Sequence, residues 1–106
     1  GLELLTKSGE WHAVPATKGA LVINVGDMLE RLTAGQLVST PHRVVNPSGP
    51  AASRSRYSMP FFLHFRPDFQ IDPLASCVAQ MGEGSGEESI SAHEFLQQRL
   101  REINLA

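Results

Sequence analysis

Residues 19–30 read Gly-Ala-Leu-Val-Ile-Asn-Val-Gly-Asp-Met-Leu-Glu, and this stretch contains the change of secondary structure on which the fold prediction depends. Its first half is a β-branched run, which favours a strand over residues 20–25, and Gly26 ends that run. Asp27 has a carboxylate three residues after it, which is the spacing of a helix N-cap and its capping partner. The stretch therefore predicts a strand followed by a short helix over residues 28–33.

Shorter apolar segments on both sides of this stretch also predict strands. Residues 2–5 and 11–14 are joined by a Lys-Ser-Gly-Glu sequence, whose composition is typical of a hairpin turn. Residues 37–39, 43–45 and 57–65 supply further strand segments, and nearby prolines restrict these to edges, ends or bulges of a sheet. The body of the chain is therefore predicted to be mainly β.

The carboxy-terminal part of the chain contains a strong helix-start signal. Residues 91–94 read Ser-Ala-His-Glu, the pattern of a capping box, and Ile90 and Phe95 stand at the two positions of a hydrophobic staple. We predict an amphipathic helix over residues 92–103 that covers the sheet. Four apolar residues would form its inward stripe: Phe95, Leu96, Leu100 and Ile103.

Length and composition limit the classes of protein to which the chain could belong. With 106 residues it can form one small domain, which we divide into a body over residues 1–81 and a linker with the terminal helix over residues 82–106. A net charge of -2 argues against a nucleic-acid partner. A single cysteine cannot form an internal disulfide, and no segment is apolar enough to predict a membrane span. These features favour a cytoplasmic location.

The residues best suited to chemistry lie between His42 and Ser58. Taken singly they say little, because a histidine entering a strand is more often a hydrogen-bonded structural residue than a metal ligand. In a strand, however, Arg56 and Ser58 point to the same face, so a guanidinium and a hydroxyl converge on one point, which suits a carboxylate. His42 and Val44 likewise share a face. Together these side chains could hold a metal ion and a dicarboxylate side by side.

Several short motifs follow one another in a recognisable order along the chain. They are Gly-Leu-Glu at residues 1–3, Trp-x-x-Val-Pro at 11–15, the stretch at 19–30, Ser-Thr-Pro-His-Arg-Val at 39–44 and Arg-Tyr-Ser-x-Pro-Phe-Phe at 56–62. This order resembles that of the isopenicillin N synthase-like oxygenases, over residues 1 to about 67. The resemblance implies a mainly β fold: a partial double-stranded β-helix (jelly roll) with a short inserted helix and a C-terminal amphipathic helix.

The same resemblance implies a function and a set of site residues. His42 occupies the place of the distal histidine in the family's iron triad of two histidines and one carboxylate. Arg56 and Ser58 match the Arg-x-Ser that holds the far carboxylate of 2-oxoglutarate, and Val44 would line the same pocket. The implied activity is that of an Fe(II)- and 2-oxoglutarate-dependent dioxygenase, which oxidises a small organic molecule with O2 and releases succinate and CO2.

The chain also departs from the family pattern. The family takes its other two iron ligands from a His-x-Asp pair, and none of the remaining histidines, His12, His64 and His93, has an aspartate two residues later. We therefore expect the segment alone to be inactive, and the missing ligands to come from an N-terminal part of the same protein or from another chain. Two alternatives stay open: a non-catalytic jelly-roll binding or structural module, and a relative that keeps Arg-x-Ser but does not use 2-oxoglutarate.

Other conspicuous residues are predicted to be structural. The aromatic residues are expected in the core or the pocket wall, Cys77 is expected to be a small buried hydrophobe, and Asp27 is expected to cap a helix rather than bind a metal. The aromatic residues meant are Trp11, Phe61, Phe62 and Phe65.

Overall fold

The computed structural model describes residues 1–15, 17–81 and 88–105. The elements in chain order are β1 (Leu2–Leu5), β2 (Trp11–Ala13), α1 (Asp27–Leu32), β3 (His42–Val44), a 3-10 helix (Gly49–Ser53), α2 (Ala75–Met81) and α3 (Ala92–Glu102). They divide between two compact units, one formed by Gly1–Asn24 with Thr40–Phe61 and the other by Val25–Ser39 with Phe62–Ala106. Residues 82–87 of the predicted linker lie outside the described residues, so the boundary after residue 81 stays a prediction.

The first unit contains a three-stranded antiparallel sheet in the order β2-β1-β3. The hairpin of β1 and β2 confirms the prediction, and Gly9 adopts φ +85° in its turn, a conformation that suits glycine. The Thr6 hydroxyl accepts a hydrogen bond from the Glu10 N–H at 3.1 Å and so stabilises the turn. The third strand begins at His42, one residue earlier than expected, and places this histidine within the ladder.

Three predicted strands, over residues 20–25, 37–39 and 57–65, do not form in this structure. A strand needs a neighbour that pairs with its backbone N–H and C=O groups, and the described residues offer none to these segments. Most of their apolar side chains stay exposed: Phe61 is 89% and Phe62 76% exposed. The prediction that these two phenylalanines lie in a core or a pocket wall is therefore wrong for the chain by itself, as it is for Trp11.

The second unit has a small apolar core. Ile71 is fully buried, and Ala92 and Phe95 at the start of α3 are nearly so. Five partly buried residues pack against this cluster: Met28, Leu32, Phe65, Phe69 and Ile90. The stacked rings of Phe65 and Phe69 lie 4.7 Å apart, so for Phe65 the predicted core position is confirmed.

Helix α1 forms within one residue of its predicted bounds, but its N-cap differs. Gly26 is the N-cap, whereas Asp27 is the first residue of the helix and no side chain caps the first turn. The Asp27 carboxylate instead forms an ion pair with Arg99 Nε at 3.1 Å, which joins α1 to α3. Gly35 follows the helix at φ +79°, and its N–H donates to the Glu30 carbonyl at 2.9 Å.

Helix α3 confirms the predicted capping box. The Ser91 hydroxyl accepts from the Glu94 N–H, and the Glu94 carboxylate accepts from the Ser91 N–H, each at 3.2 Å. Ile103 is the C-cap and is 62% exposed, so its predicted inward position is wrong. Helix α2 was not predicted, although Leu74, Val78 and Met81 have the spacing of an apolar helix face. Cys77 within this helix is half-buried rather than buried.

Replacing Ser91 by alanine should lower the free energy of unfolding of the protein by about 1 kcal/mol, because an N–H in the first turn loses its acceptor. The hydrogen bonds from Ser91 also hold the pKa of Glu94 below its ordinary value. The ionised Glu94 carboxylate therefore contributes to the stability of the folded state. This contribution is present above the ordinary pKa of a glutamate and is lost as the pH falls through the lowered pKa of Glu94. Urea unfolding at neutral and acidic pH measures both effects.

The matched control for this experiment is Ser48→Ala. Ser48 is the N-cap of the 3-10 helix, but its side chain makes no capping hydrogen bond. An equal loss of stability in both variants would contradict the capping explanation.

Candidate functional site

His42 and Val44 occupy alternate positions of β3, opposite Leu4 and Leu2 of β1. Side chains at alternate positions of a strand point to the same face, so the two residues share a face of the sheet, as predicted. Both side chains are exposed. An imidazole therefore projects from a sheet face that β1 and β3 otherwise supply with apolar side chains.

The ring of His42 has a defined hydrogen-bond partner. Nδ1 lies 3.2 Å from the carbonyl oxygen of Thr40. A carbonyl can only accept, so Nδ1 carries the proton, and in the neutral ring Nε2 keeps its lone pair. Metal-binding histidines usually donate their second ring N–H to a carbonyl or carboxylate in this way. The tautomer of His42 thus fits a metal ligand that binds through Nε2.

The backbone groups of His42 and Val44 point away from β1. The Leu5 N–H donates to the Pro41 carbonyl at 2.9 Å, and the Val45 N–H donates to the Gly1 carbonyl at 2.8 Å. In an antiparallel pair the residues between such bonded positions direct their N–H and C=O to the opposite side. The outer edge of β3, next to His42, is therefore available for pairing with a further strand.

Arg56 and Ser58 lie in the same unit as His42, in a segment without strand pairing. Both are exposed, and among the described residues neither forms a hydrogen bond or an ion pair with His42. Because the segment is not a strand here, the convergence of the guanidinium and the hydroxyl on one carboxylate stays a prediction.

The other three histidines have different surroundings from those of His42. His12 in β2 is opposite Leu4 and lies 3.7 Å from the Glu10 carboxylate, and His64 is in ring contact with Phe62. His93 is exposed in the first turn of α3. Within residues 1–15, 17–81 and 88–105, no three His, Cys, Asp or Glu side chains are grouped so that they could hold a metal ion.

The opposite face of the sheet carries a cluster that the sequence did not reveal. Arg43 Nε donates to a Glu3 carboxylate oxygen at 2.8 Å, and the Arg43 guanidinium carbon lies 4.1 Å from the centre of the Trp11 ring. Strand alternation predicts that the Arg43 side chain lies on the other face of the sheet from His42. Its contacts with Glu3 and Trp11, however, follow only from the register of β1 with β2 and β3. That register cannot be read from the residues alone.

The sequence model of the 2OG-Fe(II) oxygenase superfamily matches residues 1–65. The chain belongs to this superfamily. The predicted family resemblance is confirmed, and with it the cofactor, Fe(II), and the cosubstrate, 2-oxoglutarate, which the superfamily uses. The matched residues include the whole three-stranded sheet and all four predicted site residues.

Individual members of the superfamily resemble the chain at considerable identity. A crystal structure of a Caulobacter crescentus protein assigned to the 2OG-Fe(II) oxygenase family is 54% identical, with a TM-score of 0.90 over 97% of this chain and 34% of that one. The 2-oxoglutarate-Fe(II) type oxidoreductase ppzC of Metarhizium majus is 39% identical over 83% of the chain and 22% of its own length. Validamycin A dioxygenase of Streptomyces hygroscopicus is 32% identical over 91% of this chain and 26% of its own length.

The chain matches only part of each of these proteins. It spans about a quarter of the length of the curated relatives it matches and about a third of the solved oxygenase. The three-stranded antiparallel sheet and the similarity to solved oxygenases are consistent with a mainly β, jelly-roll-like fold. None of the helices formed by the described residues has the length and apolar character needed to span a bilayer.

Proposed function

We propose that the chain is the cosubstrate-binding part of an Fe(II)- and 2-oxoglutarate-dependent dioxygenase, in which His42 is an iron ligand. The observation that carries the proposal is the hydrogen bond between His42 Nδ1 and the Thr40 carbonyl, which leaves Nε2 as the metal-binding nitrogen. The superfamily match over residues 1–65 supports the same assignment, because it includes this histidine.

Each proposed site residue has a separate task. His42 binds the metal through a neutral imidazole, and the Thr40 carbonyl holds the ring in the required tautomer. Arg56 and Ser58 hold the far carboxylate of 2-oxoglutarate through charge-assisted hydrogen bonds. Val44, on the same face as His42, lines the pocket and keeps water from it. Fe(II) held by His42 and the further ligands would supply the activation of O2, and the overall reaction would convert 2-oxoglutarate, O2 and a small organic substrate into succinate, CO2 and oxidised product.

The other iron ligands are proposed to come from a segment outside this chain. Iron(II) in this class of site requires a facial set of two histidines and one carboxylate, and one imidazole cannot hold it tightly. The outer edge of β3 suits a strand that would bring ligands next to His42. Exposed apolar side chains of the same unit, including Leu21, Tyr57 and Phe61, support burial against further structure. An N-terminal part of the same protein is the simplest source, and another chain is the alternative.

The second candidate, a non-catalytic jelly-roll module, is less well supported. Such a module would need neither an imidazole in a metal-binding tautomer nor an Arg-x-Ser, whereas the oxygenase needs both. Among the relatives, validamycin A dioxygenase is named for a small organic molecule. We accordingly propose a small organic molecule as the substrate class.

The proposed function predicts a difference between the whole protein and the isolated chain. In the presence of Fe(II), O2 and substrate, the whole protein should convert 2-oxoglutarate to succinate, which chromatography measures directly. The isolated chain should be inactive. In an anaerobic Fe(II) titration it should also show no tight one-to-one site, because it supplies a single ligand.

Each result separates the candidates. Tight stoichiometric iron binding by the isolated chain would overturn the proposal that other ligands are needed. A whole protein that binds iron but leaves 2-oxoglutarate unconsumed would favour a relative that uses no 2-oxoglutarate. If the whole protein binds neither iron nor 2-oxoglutarate, the result favours the non-catalytic module.

A further inference from the structure

The face of the sheet opposite His42 is spanned by one arginine. Arg43 of β3 reaches across β1, where Glu3 accepts its Nε hydrogen bond at 2.8 Å, to β2, where its guanidinium lies 4.1 Å from the Trp11 ring centre. The three residues come from three different strands. One side chain therefore ties all three strands of the sheet together.

The ion pair is partly shielded from solvent. The Glu3 side chain is 23% exposed and the Arg43 side chain 49% exposed. A fully exposed pair contributes little, because solvent screens the charges and two long side chains must be ordered. Here the planar guanidinium is already held against an aromatic ring, so less ordering is needed for the hydrogen bond to Glu3.

The strand that carries His42 needs such support. β3 has three residues and lies at the edge of the sheet. On the backbone, it is held to β1 on either side of His42 by the Leu5 to Pro41 and Val45 to Gly1 hydrogen bonds. A small shift of an edge strand would move the imidazole by a distance that matters for coordination, because metal sites tolerate only a few tenths of an ångström.

We propose that Arg43 is a positioning residue for His42: by bridging Glu3 and Trp11 it fixes β3 against β1 and so sets the place of the metal-binding nitrogen. This inference rests on the proposed function, in which His42 binds iron. Arg43 itself touches neither metal nor cosubstrate, since its side chain lies on the other face of the strand. Its effect on the metal passes through the backbone of β3.

The test uses the Arg43→Met variant of the whole protein, which keeps an apolar stem beside Trp11 and removes the charge. We expect the Kd for Fe(II), measured by anaerobic titration, to rise about 10-fold, the scale found when residues that orient metal ligands are replaced. In the metal-free protein, hydrogen exchange at the Leu5 and Val45 amides should also become faster. Arg43→Lys should give a smaller effect in both measurements, since it keeps the charge without the planar fork.

The matched control is Arg66→Met, which breaks a different exposed ion pair, with Asp68 at 3.3 Å, in the other compact unit. It should change neither the Kd nor the exchange at Leu5 and Val45. An unchanged Fe(II) Kd in Arg43→Met would overturn the inference, even if the melting temperature falls, because a merely structural role would lower stability alone. Should Arg43→Met not fold, Glu3→Leu removes the acceptor of the Arg43 hydrogen bond on β1, and a wild-type Kd for Fe(II) in that variant would overturn the inference in the same way.

A His42→Ala variant, measured alongside, separates this inference from the proposed function. Where His42→Ala abolishes iron binding and Arg43→Met has no effect on it, only the positioning role fails. Where iron binding survives in His42→Ala, the proposed function fails first, and the inference fails with it.

Discussion

The His42→Ala variant of the whole protein is expected to lose stoichiometric Fe(II) binding and to form succinate at least about 100-fold more slowly. Replacing residues that merely orient metal ligands costs 10–100-fold in affinity or activity, so removal of a ligand should cost more. In the structure the imidazole is exposed on one face of β3 with its Nδ1 proton on the Thr40 carbonyl. Its removal should therefore leave the sheet intact.

Two measurements check this expectation. Anaerobic Fe(II) titration gives the metal affinity, and chromatography gives the rate of succinate formation. His12→Ala is the control, because His12 occupies β2 in the same cross-strand row as Leu4 and His42, but lies beside Glu10. A His42→Ala protein with wild-type iron affinity would show that His42 is a structural histidine. If only His12→Ala loses Fe(II) binding, the iron ligand is His12 on β2 rather than His42.

The parts of the fold that were predicted correctly depend on residues close together in sequence. The hairpin follows from a turn that contains Gly9 at φ +85°. Helix α3 follows from Ser91 and Glu94, which cap each other across three residues. Such short-range interactions are encoded in the residues themselves, so the sequence is sufficient to predict them.

The parts that were predicted wrongly depend on partners distant in sequence. Residues 20–25 and 57–65 have β-branched and aromatic composition, yet they form no ladder, because composition describes a preference and pairing needs a neighbour. Asp27 had the spacing of an N-cap, but the ion pair with Arg99 places its carboxylate elsewhere. Ile103 was predicted to complete the inward apolar stripe of α3. The helix ends at Glu102, and Ile103 stays exposed to solvent.

The same distinction applies to the candidate site. The strand at His42 was predictable to within one residue, but the Thr40 hydrogen bond that selects the tautomer of His42 was not, because it depends on side-chain rotation. The bridge of Arg43 to Glu3 and Trp11 needs the register of three strands. Arg56 and Ser58 stay a prediction, since the paired strand that would align them does not form among the described residues.

The Arg56→Met variant is expected to raise the KM for 2-oxoglutarate about 100-fold while leaving the Kd for Fe(II) unchanged. The change removes a charge-assisted hydrogen-bonding pair with the far carboxylate, which contributes up to about 3 kcal/mol, and each 1.4 kcal/mol is a factor of ten. Ser58→Ala removes only a neutral donor to the same carboxylate and should raise the KM about 10-fold at most. Steady-state kinetics with varied 2-oxoglutarate and the anaerobic Fe(II) titration together measure the separation.

Arg54 provides a sharp control, because it stands two residues before Arg56 and would share its face in an extended strand. Arg54 is the C-cap of the 3-10 helix, with an extended backbone, and is exposed. If Arg54→Met leaves the KM unchanged while Arg56→Met raises it, the far carboxylate is held by Arg56 with Ser58. The reverse result would mean that Arg54 holds the far carboxylate. Equal KM values in both variants and the wild type would mean that the far carboxylate is held by neither arginine, and the iron site proposed at His42 would have to take its cosubstrate in another way.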